Sequence, residues 1–325
     1  MLTAAIIGCG DIAGGYDDRG GPPNVLTHAG AYAACAEDVL LVAACDPSED
    51  TRNDFLRFRS GVSGFEDATT MLKTVRPDIV SVCSPTAFHE EHVMQALTYG
   101  AKAIICEKPL AESTTGAKEM VNRCRQEGVT LCVPYLRRWA PHFCALGQDI
   151  ATGKLGALQA ANVVYTKGMR HNASHFMDLL QSWCGDWSDP VAFGGEPWGN
   201  GDYVVDFAVT FGNTRTMFLH LQAECYEALE MQLFFEAGRV SVLRGGREFR
   251  TQRVTPHPVL RNANILASSP DVEKWTEDRN MLYMLRNVLD VLSGAGTLIA
   301  QPEEAVRVLE LCDAITVTLE ERFHG

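Results

Sequence analysis

The sequence predicts two domains of different class: a parallel α/β dinucleotide-binding domain over residues 1–134, and a strand-rich α+β domain over residues 135–325. Three observations carry this expectation. A glycine loop follows the first apolar strand without a gap, a second apolar strand ends in an acid, and strands alternate with helical periods until about residue 134. At 325 residues the chain exceeds the size at which one core keeps growing, and its 46% hydrophobic content is ample for two.

Leu2 to Ile7 reads as the first strand, and Gly8-Cys9-Gly10-Asp11-Ile12-Ala13 follows it. Gly8 and Gly10 permit a tight turn and close backbone approach to a pyrophosphate, while the small Ala13 lets the next helix pack near the strand. The segment Gly15 to Thr27, rich in Gly, Pro and Asp, reads as an insertion that delays this helix. Val39 to Cys45 is the second strand, and Asp46 is the acid at its end. In that position a carboxylate accepts from the adenosine ribose hydroxyls and repels a 2′-phosphate, which favours NAD over NADP; Arg52, a few residues on, softens the preference.

Amphipathic segments at 50–58 and 67–75 lead to the strand Ile79 to Cys83, which stops at Ser84-Pro85. A helix carrying His89 runs toward Gly100, the strand Ala103 to Cys106 follows, and a helix over 113–127 precedes a last strand over 129–133. Such alternation implies right-handed crossovers and a parallel sheet. The strand at Cys106 ends in Glu107-Lys108-Pro109. Proline removes a donor and stops the ladder, leaving Lys108 at the carboxyl end of a buried strand, where open α/β sheets bind ligands. A lysine near low-dielectric surroundings can transfer protons at neutral pH; a solvated Glu-Lys pair is the alternative reading of the same residues.

Beyond residue 134 a helix over 141–152 precedes strand-like alternation near 160–166, 204–211, 216–222, 230–236 and 239–243. Residues 271–292 and 302–323 have helical period, and 262–270 reads as a mobile loop. The run His171-Asn172-Ala173-Ser174-His175-Phe176-Met177-Asp178 spaces Asn172, His175 and Asp178 three apart, so a helix would put them on one face. His175 suits acid–base work because its ordinary pKa lies near working pH, and Asp178 can orient it or bind a substrate hydroxyl. The same histidines also suit a transition metal or a packed helix face; the dinucleotide loop upstream favours proton transfer, and no metal is expected.

Composition excludes several partners. With 28 Lys+Arg against 41 Asp+Glu the formal charge is −13, which repels nucleic acid and anionic membranes. Eleven cysteines, Cys225 among them, lie scattered without a CxxC pair, as expected of reduced thiols in a cytoplasmic protein. No apolar run approaches a membrane span, and the amino terminus reads as a strand instead of a signal peptide.

The Gly8-Cys9-Gly10 loop, the Ser84-Pro85 turn followed by His89, and Cys106-Glu107-Lys108-Pro109-Leu110 together resemble the Gfo/Idh/MocA oxidoreductases, in order and spacing across the amino-terminal domain. The resemblance implies a Rossmann domain joined to a carboxyl-terminal domain built on a large, mostly antiparallel sheet. It implies NAD(P)-dependent oxidation or reduction of a sugar, cyclitol or nucleotide-sugar, with Lys108 between nicotinamide and substrate and with Glu107, Ser84, Pro85 and His89 shaping the cofactor pocket. The segment ending in His175 and Asp178 resembles the family's Gly-x-His-x-x-Asp motif, with Ala173 at the glycine and His171 where many sugar-oxidising members carry an aspartate. Asn172, Tyr165 and Lys167 are then candidate substrate contacts, and Tyr165-Thr166-Lys167-Gly168 resembles a branch found with surface-polysaccharide genes. A homodimer or homotetramer is expected, since a large open sheet face needs covering. The competing class is a regulator of the same fold that binds a dinucleotide without catalysis; Lys108 and His175 favour an enzyme.

Overall fold

A computed structural model describes residues 1–19, 24–199, 201–222 and 226–324. Residues 20–23 of the expected insertion, and Cys225, lie outside the described residues. Contacts divide the chain into two compact units, Met1–Ala140 with Glu277–Val306, and Pro141–Thr276 with Arg307–Gly325.

The first unit is built on β1 (Leu2–Ile7), β2 (Val39–Cys45), β3 (Ser63–Phe65), β4 (Ile79–Val82), β5 (Ala103–Cys106) and β6 (Thr130–Cys132). These form one sheet of order β3-β2-β1-β4-β5-β6 in which every pairing is parallel. The order reverses between β1 and β4, which is where a doubly wound sheet opens its ligand crevice. Helices α1 (Tyr16–Arg19), α2 (His28–Ala34), α3 (Glu49–Arg57), α4 (Ala68–Val75), α5 (His89–Thr98) and α6 (Thr114–Gln126) connect the strands. Local chemistry sets their starts: Ser48, Asp67 and Ser113 accept from the amides of Thr51, Thr70 and Gly116. Both β4 and β5 are buried throughout, as parallel strands covered on two faces must be.

The insertion does not delay the first helix. Helical turns begin at Asp11, with a π-helical turn through Gly15 that runs into α1, and α2 starts again at His28. Asp17 closes the gap: its carboxylate accepts from the amides of Leu26 at 2.9 Å and Thr27 at 3.1 Å, and from the Thr27 hydroxyl at 2.5 Å. Thr27 then caps α2 by accepting from the Gly30 amide at 3.0 Å. The inserted residues therefore split a helix already under way, which a composition-based reading mistakes for a late start.

In the second unit α7 (Pro141–Ala151), β7 (Leu158–Tyr165) and α8 (Ser174–Cys184) precede β8 (Trp187–Trp198), β9 (Asp202–Phe211), β10 (Thr214–His220), β11 (Leu229–Phe235) and β12 (Gly238–Leu243). Then come β13 (Glu248–Pro256), β14 (Asn264–Leu266) and β15 (Asp271–Lys274). They form a nine-stranded sheet of order β14-β13-β12-β11-β7-β10-β9-β8, with β15 added on β13. Every pairing is antiparallel except β7 with β10. Alternation along β9 and β11 buries Phe207, Val209, Met231 and Leu233 on one face. On the same sheet Phe207 stacks on Phe218, with ring centroids 4.4 Å apart.

Two expectations are corrected here. Residues 271–292 are not one helix, because Asp271–Lys274 pairs with β13 and the helix α9 (Asn280–Leu292) begins later. The expected mobile loop over 262–270 contains β14. In the first unit α9 contributes Met281, Leu282, Met284, Leu285 and Val288 to a core with Ala4, Ile6, Tyr32 and Trp139. The last helix, α10 (Pro302–His324), is shared between the two units. Among the described residues no helix is long and apolar enough to cross a membrane.

Candidate active site

In the first unit the expected residues gather along one edge of the sheet. Because β2, β1, β4 and β5 are consecutive and parallel, their carboxyl ends all point the same way, and those ends carry Asp46, Gly8, Ser84 and Glu107-Lys108 respectively. Gly8 has φ +90°, a left-handed conformation that side chains strain to adopt. A Cβ there would also lie 2.7 Å from the Ser84 nitrogen and 2.8 Å from the Cys83 carbonyl, so the loop can pack against β4 only as glycine. A Cβ on Gly10, by contrast, would meet nothing within 4 Å, which leaves the outer side of the loop open.

Asp46 holds this loop as well as ending its strand. Its Oδ2 accepts from the Cys9 amide at 2.9 Å and its Oδ1 from the Ser48 amide at 2.9 Å. A carboxylate oxygen accepts more than one hydrogen bond, so both retain a direction for ribose hydroxyls. Arg52 donates to the Asp46 carbonyl at 2.5 Å. Asp11 and Ile12 open the π-helical turn directly after the loop, and Ala13 is fully buried beneath it. The bare glycine loop, the helix start beyond it and the strand-end acid are groups that fit a dinucleotide: the loop and helix amides would hold its pyrophosphate and Asp46 its ribose.

The Ser84-Pro85 and Lys108-Pro109 turns are tied together from behind. His89 is 1% exposed; its Nδ1 lies 3.0 Å from the Pro109 carbonyl and its Nε2 lies 2.9 Å from the Ser84 carbonyl. Both ring nitrogens are thereby committed to backbone, so whatever His89 contributes it contributes through the two turns it holds. Its role is to clamp one turn to the other. The Ser84 hydroxyl lies 2.8 Å from His92 Nδ1. Glu107 accepts from the Lys108 amide at 3.2 Å through Oε2, while its Oε1 lies 3.1 Å from His28 Nε2.

In the second unit Asp202 organises the histidine segment. The residues Met169–Ala173 form a π-helical turn before α8, so His171 and Asn172 precede the regular helix while His175 and Asp178 lie on it. The Asp202 carboxylate accepts from the amides of Arg170 and His171, each at 2.9 Å, and from that of Tyr203 at 2.8 Å. Burial raises the Asp202 pKa above the ordinary carboxylate value, against those amide bonds, which lower it. Asn172 donates to the Thr166 carbonyl at 2.9 Å. His171 is exposed with its ring 5.8 Å from that of Trp198, His175 is half-buried, and Asp178 is 1% exposed.

Tyr165 is not a substrate contact. Its side chain is fully buried, and its hydroxyl donates to the Val205 carbonyl at 2.6 Å and accepts from the Val205 amide at 2.9 Å. It bolts β7 to β9. Lys167, at φ 65°, reaches Glu227 in an ion pair. Two residues that the sequence reading missed are Asp202 and His28. Nothing in the sequence before Asp202 signals a carboxylate folded back on the segment at residues 170 and 171; His28, beside the N-cap Thr27, is one isolated histidine.

Comparison with known proteins bears on the family and the fold. Residues 2–135 match the model described as "Oxidoreductase family, NAD-binding Rossmann fold", Gfo/Idh/MocA. D-glucoside 3-dehydrogenase of Escherichia coli (strain K12) is 34% identical over 157 residues, 48% of this chain and 41% of that protein. Inositol 2-dehydrogenase of Rubrobacter xylanophilus is 31% identical over 144 residues, 44% of this chain and 40% of the relative. The chain thus spans about two fifths of the length of the curated relatives it matches. Among solved structures, the WlbA dehydrogenase from Bordetella pertussis, in complex with NADH and UDP-GlcNAcA, superposes with TM-score 0.80 at 18% identity, covering 99% of this chain and 96% of the other. UDP-N-acetylglucosamine 3-dehydrogenase GnnA from Acidithiobacillus ferrooxidans gives TM-score 0.77 at 16% identity, with 98% of each chain covered. Those likenesses extend the shared fold over both units, and the family match lies in the first: residues 2–135 are an NAD-binding Rossmann domain of the Gfo/Idh/MocA oxidoreductase family.

Proposed function

We propose that this chain is a nicotinamide-dependent oxidoreductase that interconverts a secondary alcohol and a ketone on a sugar, cyclitol or nucleotide-sugar. The observation that carries the reading is the single sheet edge on which the glycine loop, Asp46, the Ser84-Pro85 turn and Lys108 stand side by side. When bound, the nicotinamide supplies or takes up the hydride. In the first unit Lys108 donates a hydrogen bond to the reacting oxygen, and in the second unit His175 is the candidate proton-transfer group. Asp178, three residues beyond His175 on α8, orients that ring. Asn172, anchored at Thr166, and Lys167 contact neighbouring hydroxyls of the substrate.

Asp46 supports NAD as the cofactor over NADP, because its charge disfavours a 2′-phosphate and Arg52 is engaged with the Asp46 carbonyl. The net charge of −13 supports a small-molecule partner without nucleic acid or membrane. Among the described residues nine cysteines are free and not exposed, which supports a reducing, cytoplasmic setting. Exposed Val191, Phe193, Leu219 and Val254 on the large sheet support a homodimer or homotetramer. The reading is tested by following nicotinamide absorbance with a panel of sugars, inositols and nucleotide-sugars. Turnover of a panel member supports it, whereas tight dinucleotide binding with no turnover across the panel supports a regulator of the same fold.

A further inference from the structure

Behind the Glu-Lys-Pro turn runs a buried chain of polar groups that the proposed mechanism does not use. Tyr32 on α2 and Ser81 on β4 are 2% and 0% exposed, and the Tyr32 hydroxyl lies 2.7 Å from Ser81 Oγ. Ser81 Oγ lies 2.9 Å from Nδ1 of His28, itself 1% exposed, and His28 Nε2 lies 3.1 Å from Glu107 Oε1. The other Glu107 oxygen accepts from the Lys108 amide at 3.2 Å. All five residues belong to the first unit.

The direction of donation along this chain follows from its ends. A carboxylate only accepts, so His28 Nε2 donates to Glu107, and the buried Tyr32 hydroxyl, which keeps its proton, is the donor to Ser81 at the other end. Ser81 then donates to His28 Nδ1, which leaves the imidazole in its Nε2–H tautomer, donating to the Glu107 carboxylate. Each donor is used once, and the series ends on an acceptor at the rim: the Glu107 side chain is 13% exposed against 1% for His28. A histidine that only filled the core and satisfied Ser81 would need one ring nitrogen. This one uses both, and the second reaches the carboxylate that grips Lys108.

We propose that His28 is a positioning residue, which fixes the Glu107 carboxylate through Nε2 and, through that carboxylate, the backbone of Lys108 at the end of β5. The Asp17–Thr27 clip, which starts α2 beside His28, adds to this support. The inference rests on the reading of Lys108 as the residue that handles the reacting oxygen, but its first test needs no substrate.

Two substitutions separate the two ends of the ring. His28→Asn places its amide near the Nδ1 position and keeps a partner for Ser81 without reaching Glu107, while His28→Gln places an N–H near Nε2 and keeps the donor to Glu107. Hydrogen–deuterium exchange of the ligand-free protein, read on peptides over residues 104–110, reports the Lys108 amide. Exchange there is expected to speed up about tenfold in His28→Asn and to stay within about threefold of the parent in His28→Gln, with both proteins folded by thermal melting. Unchanged exchange in His28→Asn, or equal acceleration in both variants, overturns the proposal. Should His28→Asn fail to fold, Ser81→Ala removes the tether on Nδ1 at little cost in volume and carries the same expectation, and unchanged exchange at Lys108 then overturns it. With any substrate that turns over, His28→Asn is expected to lower kcat about tenfold with KM for NAD within about twofold, and His28→Gln to restore most of it. A rise in KM alone contradicts positioning. Absence of turnover in the unmutated protein counts against the oxidoreductase reading and leaves the exchange result standing.

Discussion

Asp46 serves local structure and, in the proposed function, cofactor choice. Its two oxygens hold the amides of Cys9 and Ser48, so the carboxylate shapes the glycine loop and also carries the charge expected to reject a 2′-phosphate. Asp46→Asn keeps an acceptor for the loop and removes the charge. It is expected to shift the ratio of NADPH to NADH affinity about tenfold toward NADPH, measured by fluorescence titration of the two cofactors. An unmoved ratio would show that discrimination lies elsewhere. Residues of this kind were legible because an acid directly after an apolar strand is a positional signal. Tyr165 was misread because no sequence pattern reports that a hydroxyl is already committed to backbone.

At the scale of elements, legibility followed the strength of the local signal. Helices α3, α4 and α6 carry Ser48, Asp67 and Ser113 as side-chain caps, and their starts were readable to within a residue or two. Strand β8 was missed because it contains Pro190, Gly194, Gly195 and Pro197, residues that argue against a strand; it tolerates them because it lies at the edge of the sheet. Strand β15 was misread as helix because all four of its residues are exposed, which leaves no alternation to detect. The split of the first helix was invisible for a third reason. What holds it is the long-range grip of Asp17 on Leu26 and Thr27, and that grip makes a prediction. Asp17→Ala leaves two amides and a hydroxyl without this acceptor and is expected to cost about 1–3 kcal/mol in urea denaturation, with faster amide exchange at the start of α2. A loss below a few tenths of a kcal/mol would mean the clip is ornamental.

For the whole molecule, the distribution of thiols sets a limit on the alkaline side. Burial pushes Cys9, Cys45, Cys124 and Cys312 up from 9.0 to about 12, and the thiols of Cys83, Cys106 and Cys132 are raised by the same cause. Below about pH 7 these thiols are protonated in both the folded and unfolded chains, and they add no pH dependence. Above it the unfolded chain releases protons that the folded chain retains, so the unfolded state binds fewer protons and stability falls as pH rises toward 12. The urea midpoint is therefore expected to drop between pH 8 and 10, and a flat or rising midpoint would contradict the assignment of these thiols to sealed cores.

The two units bear unequally on function, since the family match and the edge carrying Asp46 and Lys108 both lie in the first. The most direct measurement is the turnover of Lys108→Ala on a substrate from the sugar panel, taken together with NADH binding. The account expects kcat to fall about a hundredfold or more with NADH affinity within about threefold of the parent, because the lysine serves the reacting oxygen and not the dinucleotide. Near-normal turnover in Lys108→Ala would contradict it.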